Sequence, residues 1–508
     1  MINCLSYKFT LYPKAKLQDI TKLNGQGLSP TIQNMNNMTS GKDHIMYKVD
    51  FNAPAHAHFI GIGGISMSGL AEILKNAGFT VSGSDMKESE TTKILEERGI
   101  KVYIGQVASN ITDDIDFVVY TAAIHEDNEE YREALKHELP MLTRAQFLGQ
   151  LMDNYKYSVA VAGTHGKTTT TSMMAHIMLQ ANTDPTISIG GMLETIGGNI
   201  RVGSSDYFVT EACEYTNSYH EFRPYASIIL NVDNDHLDFF KNIENIAASF
   251  ATFATKTVEG GVLVVNGDMK YTSQIIDAVK DKNITIKTFG KNDGNNYQAK
   301  NIRLNELGQP TYDLYIDGQE MCEISLSVMG EHNAVNSLSA IAASQYIGIN
   351  LDDIKEGLRR CHSADRRFQY KGTLSNGATV IDDYAHHPTE ISASLAVAKA
   401  VVKNELWVAF QPHTYSRTKA HLKDFAKALS VADHVLLADI YAARELDDGT
   451  VSSKDLANEL KNLGCDATYL GDFETIEKFL KENLNNNDML ITMGAGNIDS
   501  VGDNLISE

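Results

Sequence analysis

The stretch Val159-Ala-Val-Ala-Gly-Thr-His-Gly-Lys-Thr-Thr169 decides how this chain is read. A short apolar run makes a strand, Gly163 and Gly166 bracket a turn, and Lys167-Thr168 open the next element. Glycines let successive backbone N–H groups point inward at phosphate oxygens. A helix N-terminus adds its positive end, a lysine adds a point charge, and a Thr hydroxyl reaches Mg²⁺. Thr170, Met173, Met174, Ile177, Met178 and Ala181 recur at helical spacing, which predicts a helix behind the loop with one buried stripe. Val161 stands where G-x-x-x-x-G-K-[ST] has its first glycine, so the loop is the shorter form G-T-x-G-K-T. Gly-rich strand-to-helix turns also occur without phosphate, but a Lys-Thr pair at this register has no packing reason. The expected ATP contacts are Gly163, Thr164, His165, Gly166, Lys167, Thr168 and Thr169.

Outward from this loop, short apolar strands alternate with helices from His58 onward, which argues for an α/β fold with parallel sheets covered on both faces. The first unit carries Gly61, Gly63 and Gly64, with Ser66 in place of a third fingerprint glycine and Asp85 at the end of the second strand. That pattern reports a pyrophosphate at a helix N-terminus, which a UDP-sugar carries as NAD does. Further strands are expected at Lys101–Ile104 and Phe117–Tyr120, the latter running into Thr121 where an α/β sheet puts its ligand. After the phosphate loop, expected strands at Tyr207–Glu211 and at 227–232 end in Glu211-Ala-Cys-Glu214 and Asn231-Val-Asp-Asn-Asp-His-Leu-Asp238. Hard oxygen ligands and a histidine beside a Lys-Thr loop suit ATP with Mg²⁺. Residues 285–330 read as short strands, and 331–347 as a helix with Asn333 and Asn336 on one face near its start. A basic hinge at 363–372 precedes a third α/β block with strands expected at 378–381, Leu406–Phe410, His434–Ala438 and 489–492. Its candidates lie at strand ends, and Pro388 fits the first turn of a helix with His386 and His387 at its mouth.

At 508 residues the chain exceeds one core and divides into about three domains of about 150 residues each. A composition of 43% hydrophobic and 21% charged residues is that of a globular protein. The formal net charge of −21 argues against a general nucleic-acid surface, while a few cations around Mg²⁺ still suffice for a nucleotide. Cys4, Cys213, Cys322, Cys361 and Cys465 are odd in number and scattered, so neither a disulfide framework nor a zinc site is suggested, and a cytoplasmic location fits. No apolar run approaches the roughly 18 residues of a membrane span, and no signal-peptide core opens the chain. Residues 1–45 are polar and aperiodic, expected to be a disordered extension, with Met46 as a possible alternative start.

Taken together, G-T-H-G-K-T-T, E-A-C-E-Y-T-N-S, N-D-H-L-D, G-E-H-N-A-V-N, R-R-F, D-D-Y-A-H-H-P-T-E, P-H-T-Y-S-R and M-G-A-G-N-I resemble the Mur ligases, in family order from about His58 to the C-terminus. The resemblance implies three domains: a UDP-sugar-binding Rossmann-like domain at 46–152, a central ATPase at 153–366 and a C-terminal Rossmann-like domain at 367–508. It implies that ATP, UDP-N-acetylmuramate and L-alanine give an amide through an acyl phosphate, the first peptide step of peptidoglycan synthesis. By resemblance, Lys167 and Thr168 contact the terminal phosphates and the first metal, and Glu211 and His236 ligate Mg²⁺. Asn333 and Asn336 match adenosine contacts. Arg367 and Asp383 bridge the central and C-terminal domains, and His387 and Arg417 face the phosphates and the amino acid. Gly61, Gly63, Gly64, Ser66, Asp85 and Thr121 hold the uridine diphosphate. Several relatives use a carbamylated lysine at the second metal, but residues 242–254 contain none.

The expected partners are these small molecules, with neither nucleic acid nor membrane, and a monomer or weak homodimer. Three alternatives stay open on the sequence. One is a relative that attaches a recycled tripeptide to the same UDP-sugar, although Glu214-Tyr-Thr-Asn-Ser218 looks more like the alanine-adding members. Another is an NAD(P)-dependent oxidoreductase built on the Gly61 to Asp85 unit, which leaves the Lys167 loop without a task. The third is an ATP-driven switch that forms no amide.

Overall fold

The alternation of apolar strands and helices yields three sheets in the computed structural model, which describes residues 46–507 apart from positions 444 and 448. The extension expected at 1–45 lies outside the described residues. In the first sheet His56–Ile60 is central. Thr80–Asp85 and then Lys101–Ile104 lie on one side, Phe117–Tyr120 and then Met141–Thr143 on the other, all parallel. The strand order reverses between His56–Ile60 and Phe117–Tyr120, so a crevice opens beyond their carboxyl ends, where such sheets take ligands.

The second sheet is built around Tyr157–Ala162, buried between Tyr207–Glu211 and Ala226–Ile229. Beyond Ala226–Ile229 come Val262–Asn266, Thr285–Gly290 and Tyr297–Leu304, then the antiparallel strands Pro310–Ile316 and Gln319–Ser325. The opposite edge is a hairpin, Thr186–Leu193 with Gly198–Arg201. The helix predicted behind the phosphate loop spans Lys167–Gln180. Its burial is not a single stripe: every side chain from Thr168 to Met178 is buried, because Glu331–Tyr346 and Leu351–Arg359 both pack on it as well as the sheet.

The third sheet runs Thr379–Asp383, Met489–Met493, Leu406–Phe410, His434–Ala438 and Asp466–Gly471 in parallel, with antiparallel Gln369–Thr373 at its edge. The strand expected at 378–381 extends to Asp383, placing two acids within the sheet. Asp382 tolerates full burial because Arg366 Nε donates to it at 2.9 Å and Thr492 Oγ1 at 2.7 Å.

The first two sheets share one apolar cluster, in which Phe117, Phe147 and Leu151 join Phe208, Phe222 and Phe250. The joint is the helix Arg144–Met152 lying on the segment Tyr215–Glu221. Gly149 allows that approach, since a Cβ there would sit 2.2 Å from the Glu221 carbonyl oxygen. Helix propensity alone favours alanine over glycine by about 1 kcal/mol. The backbone clash outweighs this, so Gly149→Ala is expected to destabilise the chain by about 1–3 kcal/mol in urea denaturation.

Candidate active site

Tyr157–Ala162 delivers its chain into Gly163, and Gly166 turns it into the helix with φ 84° and ψ 0°. Glycine is required there twice over: the backbone is left-handed, and a Cβ would lie 2.8 Å from Asn336 Nδ2. Asn231 at the end of the neighbouring strand clamps the loop, accepting from His165 N at 2.8 Å and donating to His165 O at 3.0 Å. Lys167 Nζ donates to Gly163 O at 2.6 Å and Thr164 O at 3.1 Å and pairs with Glu214 Oε2 at 3.0 Å. Burial alone would lower its pKa, but the Glu214 carboxylate outweighs this and holds the ammonium charged above its ordinary range. Glu214 is only 2% exposed. It was not singled out from the sequence, although it closes the Glu211-Ala-Cys-Glu214 tetrad.

Thr168 Oγ1 lies 3.5 Å from Arg367 Nη2, so the loop and the C-terminal part of the chain meet at the helix start. Glu211 ends its strand with its carboxylate accepting from Gly190 N at 2.7 Å, near enough to Lys167 to raise that pKa further. His236, with φ 52°, stacks near Tyr215 and brings Nε2 to 3.7 Å from both Glu214 Oε1 and Asp235 Oδ2. Thr168, Glu211 and Glu214 offer oxygens, the hard donors that Mg²⁺ takes, and the expected ligand His236 adds a ring nitrogen 3.7 Å from Glu214. No lysine occurs in the helix Ile243–Ala254.

A cavity of about 630 Å³ opens between the second and third sheets, lined by Gly166, Thr169, Asn333, Asn336, Arg367 and Asp383 among others. Asn333 Nδ2 donates to Met329 O at 2.7 Å and Asn336 Nδ2 to Asn333 Oδ1 at 3.3 Å, so the two amides are set as a pair. Arg367 lies over the Tyr384 ring at 5.2 Å. Asp383 is raised to about 6 by burial, partly offset by Ser394 Oγ and Ala385 N, each donating at 2.7 Å. Arg366 is an anchor rather than a cavity residue, donating to Gly494 O and Gly496 O at 2.8 Å besides Asp382.

Between the second and third sheets Arg417 Nη2 meets Asp235 Oδ1 at 2.8 Å, and its Nη1 lies 3.3 Å from His413 Nδ1. His387 caps the helix Pro388–Val401 by accepting from Thr389 N, and its Nε2 donates to Asn234 O at 2.8 Å. Both ring nitrogens are thus engaged. Burial, then the nearby His165 charge, lowers its pKa to about 4, which keeps it neutral. His165 Nε2 lies 3.1 Å from Asp233 Oδ2 and its Nδ1 3.3 Å from Glu390 Oε1. Burial would lower its pKa, but hydrogen bonds to these carboxylates and their charges lift it to about 9. A pKa raised above the unfolded value means stability that is full below about pH 6.5 and lost as pH rises through about 9. The thermal midpoint is therefore expected to fall between about pH 6.5 and 9. In Glu390→Gln that fall is expected to be smaller and complete at lower pH, because one of the two carboxylates lifting His165 is gone.

The remaining predicted residues gather in the first sheet's crevice. Gly61 N and Ile62 N both donate to Ser84 O at 2.9 Å, and Gly63 N donates to Asp85 Oδ2 at 2.9 Å, so Asp85 stiffens the turn. Gly64 precedes the helix Ile65–Asn76, which carries Ser66 in its first turn, and the Thr121 methyl lies against Gly61.

Three family models match the chain: the catalytic domain of the Mur ligase family over residues 56–156, the Mur ligase middle domain over 161–344, and the Mur ligase glutamate ligase domain over 366–496. A UDP-N-acetylmuramate–L-alanine ligase of Agathobacter rectalis is 54% identical over 91% of this chain and 100% of its own. One from Caldanaerobacter subterraneus is 47% identical over 91% of this chain and 99% of its own. The crystal structure of a UDP-N-acetylmuramate–alanine ligase from Thermotoga maritima superposes with a TM-score of 0.74 at 30% identity, covering 89% of this chain and 98% of that one.

Proposed function

This chain belongs to the Mur ligase family, and we infer from that membership and from the cleft around Lys167 that it joins L-alanine to UDP-N-acetylmuramate at the expense of ATP. Relatives named for alanine addition support this reading over the tripeptide one. An oxidoreductase built on Gly61 to Asp85 leaves unexplained a half-buried lysine held on a phosphate loop.

The chemistry is dictated by charge. A carboxylate is a poor electrophile, so the terminal phosphoryl group of ATP passes to it, and the amine of alanine then displaces phosphate from the acyl phosphate. Both partners of the first step are anions, so catalysis consists of holding them in line and cancelling charge. Lys167 stands where the terminal phosphate meets the loop. Arg367, reaching Thr168 from the third sheet, adds a second cation to the same point. Bound Mg²⁺ supplies further charge neutralisation, and Thr168, Glu211 and Glu214, with His236 beside them, are the groups that would hold it. Asn333 and Asn336 set the adenosine edge of the cavity, Asp383 positions the strand end across from it, and Arg417 guides the amino-acid carboxylate. His387, its ring occupied at both nitrogens, fixes the C-terminal helix against the Asn234 loop. The crevice of the first sheet takes the UDP moiety through the Gly61–Gly64 turn, Ser66 and Thr121, with Asp85 shaping it. This division assigns residues 46–152, 153–366 and 367–508 to UDP-sugar, ATP and amino acid in turn. No helix among the described residues is long and apolar enough to cross a membrane.

The observation that carries the reading is Lys167, half-buried and charged between two loop carbonyls and Glu214, with Arg367 reaching the adjacent Thr168. The test is purified protein with ATP, Mg²⁺, UDP-N-acetylmuramate and either L-alanine or a tripeptide. One phosphate released per amide formed, with alanine and not with tripeptide, is the expected result. Phosphate without amide would leave an ATPase, and product only with tripeptide would transfer the chain to peptide recycling.

A further inference from the structure

Arg144 stands near both halves of this cleft without a role in the chemistry so far assigned to it. It comes immediately after Met141–Thr143, the edge strand of the first sheet, and the register Tyr120↔Thr143 sets it at the same carboxyl end as Thr121 and the glycine turn. Its backbone is held firmly. Thr143 and Gln146 cap the helix reciprocally, Gln146 N donating to Thr143 Oγ1 at 3.2 Å and Thr143 N to Gln146 Oε1 at 2.9 Å. Gly149 wedges the same helix against Glu221. A side chain starting there is placed by both bodies at once.

The guanidinium is partly buried and turned inward. Nη1 donates to Ser66 Oγ at 3.1 Å, in the first turn of the helix behind the pyrophosphate cradle. The Arg144 helix packs on Tyr215–Glu221, the segment that follows directly on Glu214, the partner of Lys167. Arg144 therefore stands between the cradle and the phosphate loop. Lys167 and Arg417 carry carboxylates, Glu214 and Asp235, whereas Arg367 lies over the Tyr384 ring and reaches Thr168. Among the described residues no ion pair involves Arg144, and a single hydroxyl is its hydrogen-bond partner. A guanidinium has five N–H donors in a planar fork, and one drawn from water without a counter-ion is stabilised by any anion that reaches it.

We propose that Arg144 binds the anionic part of the UDP-sugar acid, its forked donors taking the carboxylate or the diphosphate and so holding the acid between the glycine cradle and Lys167. This rests on the amide-forming reaction proposed for the chain. The shared chemistry is an oxyanion geometry that accepts two parallel N–H donors.

The test uses the full chain, with amide formation by the unsubstituted protein as the first measurement; inactivity there refutes the reaction and not this assignment. In Arg144→Gln the KM for UDP-N-acetylmuramate is expected to rise about 10- to 100-fold, as for loss of charged hydrogen bonds, while those for ATP and L-alanine change less than about twofold. Arg144→Lys, which keeps charge but not the fork, falls between. Calorimetric titration with UDP alone separates the two sources: binding weakened as much as for UDP-N-acetylmuramate places Arg144 on the diphosphate, and unchanged UDP binding places it on the carboxylate. Should Arg144→Gln fail to fold, phenylglyoxal labelling of the unsubstituted chain decides, because UDP-N-acetylmuramate is expected to protect Arg144 and ATP is not. A folded Arg144→Gln that binds UDP-N-acetylmuramate normally, or labelling that the substrate leaves unchanged, overturns the assignment.

Discussion

Lys167→Ala is expected to lower turnover at saturating substrates by about 10²- to 10³-fold, the scale at which one preorganised charge acts on a developing anion. The ammonium is already placed at the loop, where two loop carbonyls and Glu214 take its three N–H donors. A phosphate oxygen takes over one of these bonds at the same point, so little of the effect goes into ordering the side chain. The same burial complicates the experiment. Removing Lys167 leaves the Glu214 carboxylate, 2% exposed, without its partner, and an orphaned buried charge destabilises by several kcal/mol. The double substitution Lys167→Ala with Glu214→Gln removes that liability. It is expected to recover thermal stability while turnover stays well below that of Glu214→Gln alone, the variant that shows what the carboxylate itself contributes. Recovery of turnover along with stability would show that Lys167 acts by holding the fold, and near-normal turnover in the single variant would remove it from the chemistry altogether.

How far the sequence reached depends on how local each determinant is. The phosphate loop was legible because its glycines and Lys167 lie within a few residues and their spacing is the geometry. Strand ends were legible too, since alternating apolar runs mark where the polar tips must fall. The partner of Lys167 was not, because Glu214 reaches it only through the pairing of Tyr207–Glu211 beside Tyr157–Ala162. The carboxylates around His165 are further still, Glu390 lying 225 positions away. Thr186–Leu193 was not legible as a strand because Gly190-Gly191 looks like a turn, yet the strand continues through them. Gly190 is small because the Glu211 carboxylate lies against it, where a Cβ would be 2.9 Å from Oε1. Asp382 and Asp383 were expected beyond a strand, and their burial within it depends on Arg366, Thr492 and Ser394, which no local pattern announces.

Arg417→Ala is expected to reduce kcat/KM for L-alanine by about 10²-fold or more, with a smaller change for UDP-N-acetylmuramate. The guanidinium crosses from the third sheet's side of the cavity to Asp235, and the two side chains are 12% and 11% exposed. Removing one member of so buried a pair costs about 3–5 kcal/mol if the other stays desolvated. Here Asp235 sits on a loop between two bodies, so it regains water when they part. The penalty should then appear as a shift toward separation of the bodies and a raised demand for substrate, with the thermal midpoint only modestly lowered. Asp235→Asn separates latch from ligand contact. If Arg417 only latches, adding Asp235→Asn to Arg417→Ala relieves the orphaned charge and brings alanine use back to the level of Asp235→Asn alone. If Arg417 also meets the amino-acid carboxylate, midpoint and compactness recover while kcat/KM for alanine does not. The second outcome is expected, because Nη2 makes the Asp235 pair while Nη1 lies at the neutral ring of His413, whose pKa burial and then the His386 and Arg417 charges lower to about 4. With Asp235 on Nη2 only, the fork keeps Nη1 on a neutral imidazole, a weaker partner that an incoming carboxylate can displace.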